Sequence, residues 1–177
     1  MTDYRMIFAG FGGQGVLFSG KVAAYAGLID GKEVTWLPSY GPEMRGGTAN
    51  CGVCISDAPI GSPLVTAPNV LLALNGPSFD KFIGLVSPGG LVFIDSTLVE
   101  RECKRDDITL YELPASQLTV DEGLEGLANM ILLGKMLKET GFSTLDTVEA
   151  SLKKCVPPRK EHLLEHNIRA VKLGISK

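Results

Sequence analysis

Hydrophobic positions in this chain come first as short solid runs and later as long helical stripes. Residues 5–10, RMIFAG, form an apolar run ending at glycine, the pattern of a buried strand. Residues 15–31 follow with Val16, Ser19, Ala23 and Ala26 on one face and Leu17, Gly20, Ala24 and Leu28 beside it, with Gly31 as the stop. So many small residues predict a helix packed close on a sheet. EVTWLPSY (33–40) and TANCGVCISD (48–57) read as two strands joined by a short loop, a pair able to run antiparallel. NVLLALN (69–75) is apolar throughout and so predicts a strand buried on both faces. Pro77 opens a helix to Val86, and LVFIDST (91–97) and ITLYELP (108–114) complete six strands.

The last third changes period. Residues 124–141 are apolar nearly all round through their first half, as in a buried helix. Residues 143–156 begin with Ser143 as the expected N-cap and Asp146 three positions on. Pro157 and Pro158 then introduce a final helix with Leu164, Ile168 and Val171 on one face. Strands alternating with helices predict an α/β class: a three-layer α/β/α domain around a mostly parallel but mixed sheet, with a Rossmann-like beginning and a helical C-terminal third. With neither linker nor repeat, residues 1–177 read as one domain.

Composition narrows the function classes. The 177 residues are 45% hydrophobic and 21% charged, with a net charge of −3, so no basic excess points to nucleic acid or an anionic membrane surface. No apolar run approaches the ~20 residues of a membrane span, and the first residues lack a signal-peptide layout, which predicts a cytoplasmic protein. Cys51 and Cys54 form a CxxC, but residues three apart on a strand face opposite ways, so they read as small apolar strand residues. Neither a second CxxC nor a nearby histidine completes a zinc set, and the four cysteines lack iron–sulfur spacing. His162 and His166 stand four apart on the last helix without the glutamate of a metalloprotease motif and read as a solvated face.

Two stretches carry chemistry. In GFGGQG, Gly10, Gly12 and Gly15 match G-x-G-x-x-G between a strand and a helix, where backbone N–H groups and a helix N-terminus can cradle an anion. Dinucleotide binding also requires an acidic residue at the end of the second strand; that end reads WLPSY, with Glu33 at its beginning. A tight structural turn, another anion or a subunit contact stay open. In SYGPEMRGGTAN, Glu43 and Arg45 sit among glycines with few other side chains. Arg45 can offer a planar fork to a carboxylate or phosphate, and Glu43 can steady it or meet a partner; a solvated hairpin loop is the alternative. Asn129, inside the most apolar helix, must find hydrogen-bond partners and reads as a helix-to-loop tether. Arg159, Lys160 and Lys172 read as solvated charge, as do Lys104 and Arg105.

AGFGGQGV at 9–16 followed by SYGPEMRGGTANCGV at 39–53 resembles the gamma subunit of 2-oxoacid:ferredoxin oxidoreductases, the pyruvate, 2-oxoglutarate and 2-oxoisovalerate family. GSPLV (61–65), LVSPGGLVFIDST (85–97) and LANMILLG (127–134) extend the likeness over essentially the whole chain. The resemblance implies a noncatalytic accessory domain of a complex that decarboxylates a 2-oxo acid with coenzyme A, giving acyl-CoA, CO2 and reduced ferredoxin. It implies that thiamine diphosphate, magnesium and iron–sulfur clusters belong to alpha, beta and ferredoxin-like delta subunits. Self-association is a further expectation, and the charge balance and short apolar runs leave nucleic acid and membrane out as partners. The resemblance further implies that Gly10, Gly12, Gly13, Gln14 and Gly15, with Ser39, Tyr40, Gly41, Glu43, Arg45, Gly46 and Gly47, face coenzyme A or a neighbouring subunit. A stand-alone nucleotide-binding or regulatory module is the alternative.

Overall fold

The computed structural model describes residues 3–39 and 48–177. One six-stranded sheet has the order β2-β3-β1-β4-β5-β6, formed by β1 (Asp3–Phe11), β2 (Glu33–Ser39), β3 (Thr48–Ser56), β4 (Val70–Ala73), β5 (Leu91–Asp95) and β6 (Thr109–Leu113). Strands β1, β4, β5 and β6 pair in parallel, whereas β3 lies antiparallel between β2 and β1. The mixed sheet is as expected, and every residue of β4 is buried. A central strand covered on both faces requires such an uninterrupted apolar run.

The two faces are clothed unequally. One carries α1 (Val16–Ile29) and α4 (Ala128–Thr140), backed by α5 (Leu145–Cys155) and α6 (Leu164–Ser176). Its core holds Met6, Phe8, Leu72, Phe93 and the buried side of α4, including Met130, Ile131, Leu132, Leu133 and Met136. Each such side chain contributes roughly 1.5–3 kcal/mol when fully buried. The other face meets α2 (Gly76–Phe82) and the 3-10 turn Ile83–Leu85, which close over Ile7, Leu71, Val92 and Ile94. Cys51, Val53 and Ile55 belong to the first core, while Cys54 does not, so the CxxC divides between faces as its spacing predicted. All four cysteines are free thiols.

Glycines set the layer spacing. On α1, an added Cβ at Gly20 collides with Cys51 Sγ, and one at Gly27 lies 2.9 Å from Val34 Cγ2. Between α4 and α6 the approach is closer still. A Cβ at Gly134 runs into the Val171 carbonyl, and one at Gly174 into that of Ile131. These helices meet backbone to backbone.

Several boundaries differ from expectation. The helix placed at 124–141 starts at Ala128, because Gly123 and Gly126 adopt positive φ (64° and 81°) in the preceding turn. Thr144, not Ser143, caps α5, accepting from Thr147 N at 3.2 Å, while Ser143 Oγ donates to Asp30. The final helix begins as a 3-10 segment, Pro158–Leu163. The helix expected at 77–86 tightens to 3-10 after Phe82, and α3 (Ala115–Asp121) was not anticipated.

Candidate functional site

Strand β1 delivers the chain to the carboxyl edge of the parallel strands, where the turn Gly12–Gly15 swings it into α1. Gln14 shapes this turn. Its N–H donates to Phe11 O (3.2 Å), and its Oε1 accepts from Phe11 N (2.7 Å) and from Asn75 Nδ2 (3.0 Å). Gln14 Nε2 in turn donates to Leu74 O (3.3 Å). Asn75 Oδ1 accepts from Ser78 N (2.9 Å), capping α2. One amide pair thus ties the end of β1 to the end of β4, where the following helices leave for opposite faces of the sheet. Crevices of this kind are where open α/β sheets bind ligands.

The glycines are required here. Gly13 and Gly15 have φ of 92° and 74°, which disfavours any side chain. A Cβ at Gly10 lies 2.8 Å from Val16 Cγ1 and 2.9 Å from Gln14 Oε1, and one at Gly15 strikes the Asn129 amide. That amide donates from Nδ2 to Gly15 O (2.9 Å), so Asn129 is the tether its position suggested. Helix α1 begins with neither a side-chain cap nor an acidic residue in its first turn. Its first residues, Val16 and Leu17, border a cavity of about 280 Å³ that also touches Gly13, Gly15, Phe11 and Ala49. An uncapped helix start carries partial positive charge and suits an anionic group.

Strand register places the second motif's anchors beside the first. Thr48 pairs with Phe11, and Ser39 with Asn50, so the described residues on either side of the second motif stand at the edge that carries the glycine turn. Gly10, Gly12, Gly13, Gln14 and Gly15 therefore gather at one edge. Ser39 borders a different groove of about 320 Å³, lined by Leu37, Pro38, Leu64 and Val65 near the α2 face. Tyr40, Gly41, Glu43, Arg45, Gly46 and Gly47 lie outside the described residues.

Two functional-edge residues were missed from sequence. Asn75 precedes Gly76-Pro77, an N-cap pattern that was there to read. Asp95 is fully buried at the end of β5 and accepts from Thr97 N (3.1 Å), Ser116 N (3.2 Å) and Ser116 Oγ (2.5 Å), holding α3 against the same edge. Cys51 is shielded: burial pushes its thiol up to about 12, against a smaller lowering by Trp36. Burial likewise raises Cys155, opposed by Ser151 and Lys21. Among the described residues no group of three or more His, Cys, Asp or Glu side chains is placed to hold a metal ion.

The strand after α1 separates this site from a dinucleotide fold. Strand β2 ends at Ser39 with Glu33 at its far end, and it pairs with β3 rather than lying parallel to β1. The pyruvate ferredoxin/flavodoxin oxidoreductase model matches residues 5–177. The chain belongs to that family. It is 38% identical over 175 residues to ketoisovalerate oxidoreductase subunit VorA of Methanothermobacter thermautotrophicus, covering 97% of this chain and 36% of VorA. It is 34% identical over 169 residues to 2-oxoglutarate synthase subunit KorC of Methanocaldococcus jannaschii, covering 94% of this chain and 89% of KorC. The chain thus spans about a third of the length of VorA and most of KorC. Among solved structures, the gamma subunit of keto/oxoacid ferredoxin oxidoreductase from Geobacter sulfurreducens superimposes with a TM-score of 0.83 at 31% identity, covering 98% of this chain and 96% of that one. The family's oxidoreductase subunits and this chain therefore share both sequence and the mixed six-stranded fold. Among the described residues no helix is long and apolar enough to cross a membrane.

Proposed function

We propose that this chain is the gamma subunit of a complex that oxidatively decarboxylates a 2-oxo acid with coenzyme A, releasing acyl-CoA, CO2 and reduced ferredoxin. The carrying observation is the likeness to a gamma subunit that covers 98% of this chain in fold, at 31% sequence identity. In this reading the thiamine diphosphate, magnesium and iron–sulfur clusters sit in alpha, beta and delta subunits, and this chain stands on the coenzyme A side of the active site. Its own residues contribute shape and charge. The Gly13–Gly15 turn brings backbone close to an anionic group, Gln14 and Asn75 brace that turn, and Arg45 supplies the charged contact its place in the second motif suggests.

The test is 2-oxo acid- and CoA-dependent reduction of a viologen dye. The chain alone is expected to be inactive, and the complex active only when this chain is present. Turnover by the chain in the absence of other subunits overturns the accessory role, as does a complex whose CoA-dependent rate is unchanged by its removal.

A further inference from the structure

A second cleft opens on the other flank of α1, between the starts of α1 and α4 and the 3-10 segment after α5. It encloses about 420 Å³, within the range of small-molecule sites. Asn129 and Asn167 both line it, and both are buried, at 3% and 5% exposure. Each spends its NH2 group on a main-chain carbonyl: Asn129 on Gly15 O (2.9 Å) and Asn167 on Leu163 O (2.7 Å). A flipped amide would set its oxygen against a carbonyl oxygen, acceptor against acceptor, so the amide orientations are fixed and each Oδ1 remains an acceptor. Asn129 Oδ1 is buried without any hydrogen-bond partner. Unsatisfied buried acceptors are rare because they forfeit solvation, and they call for an N–H or O–H from elsewhere.

Charge around the cleft has one sign. Lys21, Arg159 and Lys160 border it, and among the described residues none forms an ion pair, whereas six other cations do. Helices α1 and α4 both begin at its wall, each without a side-chain cap or an acidic first-turn residue, and add their partial positive charge. The opposing contribution is the carboxyl end of α5 at Cys155 and Val156. Between acceptors and cations lie Phe18, Leu127, Val156, Pro157 and Leu163, an apolar surface for a flat body.

A ligand matching all three features carries N–H or O–H donors, negative charge and an apolar ring. Inorganic phosphate and a small carboxylate both lack the ring; a nucleoside phosphate has all three. We propose that this cleft binds a nucleoside phosphate whose base bears an exocyclic amino group, the asparagine carbonyls taking the amine and Lys21, Arg159 and Lys160 the phosphate. The site rests on these residues alone; the proposed function enters only in asking whether the nucleotide is free or is the end of coenzyme A.

Isothermal titration of the full chain with adenosine diphosphate, inosine diphosphate and pyrophosphate tests this. Inosine keeps the ring and phosphates but places an oxygen where adenine has its amine. Adenosine diphosphate is expected to bind at least about tenfold more tightly than inosine diphosphate, the scale of one buried hydrogen bond with its desolvation, and pyrophosphate more weakly again. Arg159→Glu with Lys160→Glu, two exposed positions, should weaken adenosine diphosphate at least about tenfold while the melting temperature stays unchanged. Displacement of adenosine diphosphate by coenzyme A identifies the coenzyme as the source of the nucleotide; binding that coenzyme A does not displace identifies a free nucleotide. The proposal is overturned if adenosine diphosphate fails to bind at millimolar concentration, if the three probes bind equally, or if charge reversal has no effect. Viologen turnover by the assembled complex judges the proposed function separately.

Discussion

Replacing Gly15 with alanine isolates the contact that joins the glycine turn to α4. The left-handed φ of 74° disfavours a side chain by roughly 1–2 kcal/mol. The new Cβ also strikes the Asn129 amide, which must move and release its hydrogen bond to Gly15 O, about 1 kcal/mol more. A buried amide left unpaired at both ends adds about another 1 kcal/mol. The total is about 3 kcal/mol, or roughly 6–12 °C in melting temperature for a chain of this size. Gly13→Ala is the matched control, because its φ is 92° but nothing lies within 4 Å of the added Cβ, so only the conformational part remains. Urea unfolding of both variants, repeated in an Asn129→Ala background, separates the contributions. With Asn129 removed, Gly15→Ala should cost no more than Gly13→Ala. An equal cost for Gly15→Ala in both backgrounds refutes the collision.

Gly174→Ala should cost 3 kcal/mol or more, or prevent soluble expression, because its Cβ meets the Ile131 carbonyl rather than a movable side chain; a melt within 2 °C of the parent contradicts the close helix crossing. Native thiol labelling at pH 8 should modify Cys103 first and Cys51 only on unfolding, since Cys103 is partly exposed and Cys51 fully buried. The fold favours the neutral Cys51 thiol, so that contribution to stability is complete below the ordinary value of 9.0 and is lost as pH rises toward about 12; urea midpoints across that range should fall less in Cys51→Ala. Arg45→Ala should leave the free chain within about 0.5 kcal/mol of the parent. It should weaken assembly or coenzyme A response by roughly 2–5 kcal/mol, and Arg45→Lys tests whether the planar fork matters. A shifted melt with unchanged assembly identifies a structural ion pair instead.

Sequence pattern located all six strands, the central ones as short apolar runs and the edge strands β2 and β6 as β-branched and aromatic runs bounded by glycine, proline or a charge. It located α1 and the buried face of α4 from helical spacing, and α5 from its cap pattern. It failed where two periods overlap or none exists. ASQLTVD, which forms α3, is held by Ser116 on the buried Asp95, a contact between residues 21 apart that no local pattern encodes. Leu124 and Leu127 fit an apolar helix stripe, yet Gly123 and Gly126 turn the backbone there. The candidate site was legible as glycines but not as a mechanism. Gln14, which the resemblance implied faces coenzyme A or a neighbouring subunit, is the brace of the turn, a role visible only once β4 brings Asn75 alongside.

The interlocking of α4 and α6 bears on more than stability. Asn129 stands five residues before Gly134 on one helix, and Asn167 four residues before Val171 on the other, both near the crossing where main chain rests on main chain. Side-chain interfaces adjust by rotamer changes; an interface of carbonyls against Cα atoms has no such freedom. The two acceptor amides are therefore mounted on a joint without play, and their separation is set before any ligand arrives. A guest that fits gives up its own freedom but does not also have to immobilise its host, and affinity there is limited by complementarity rather than by ordering.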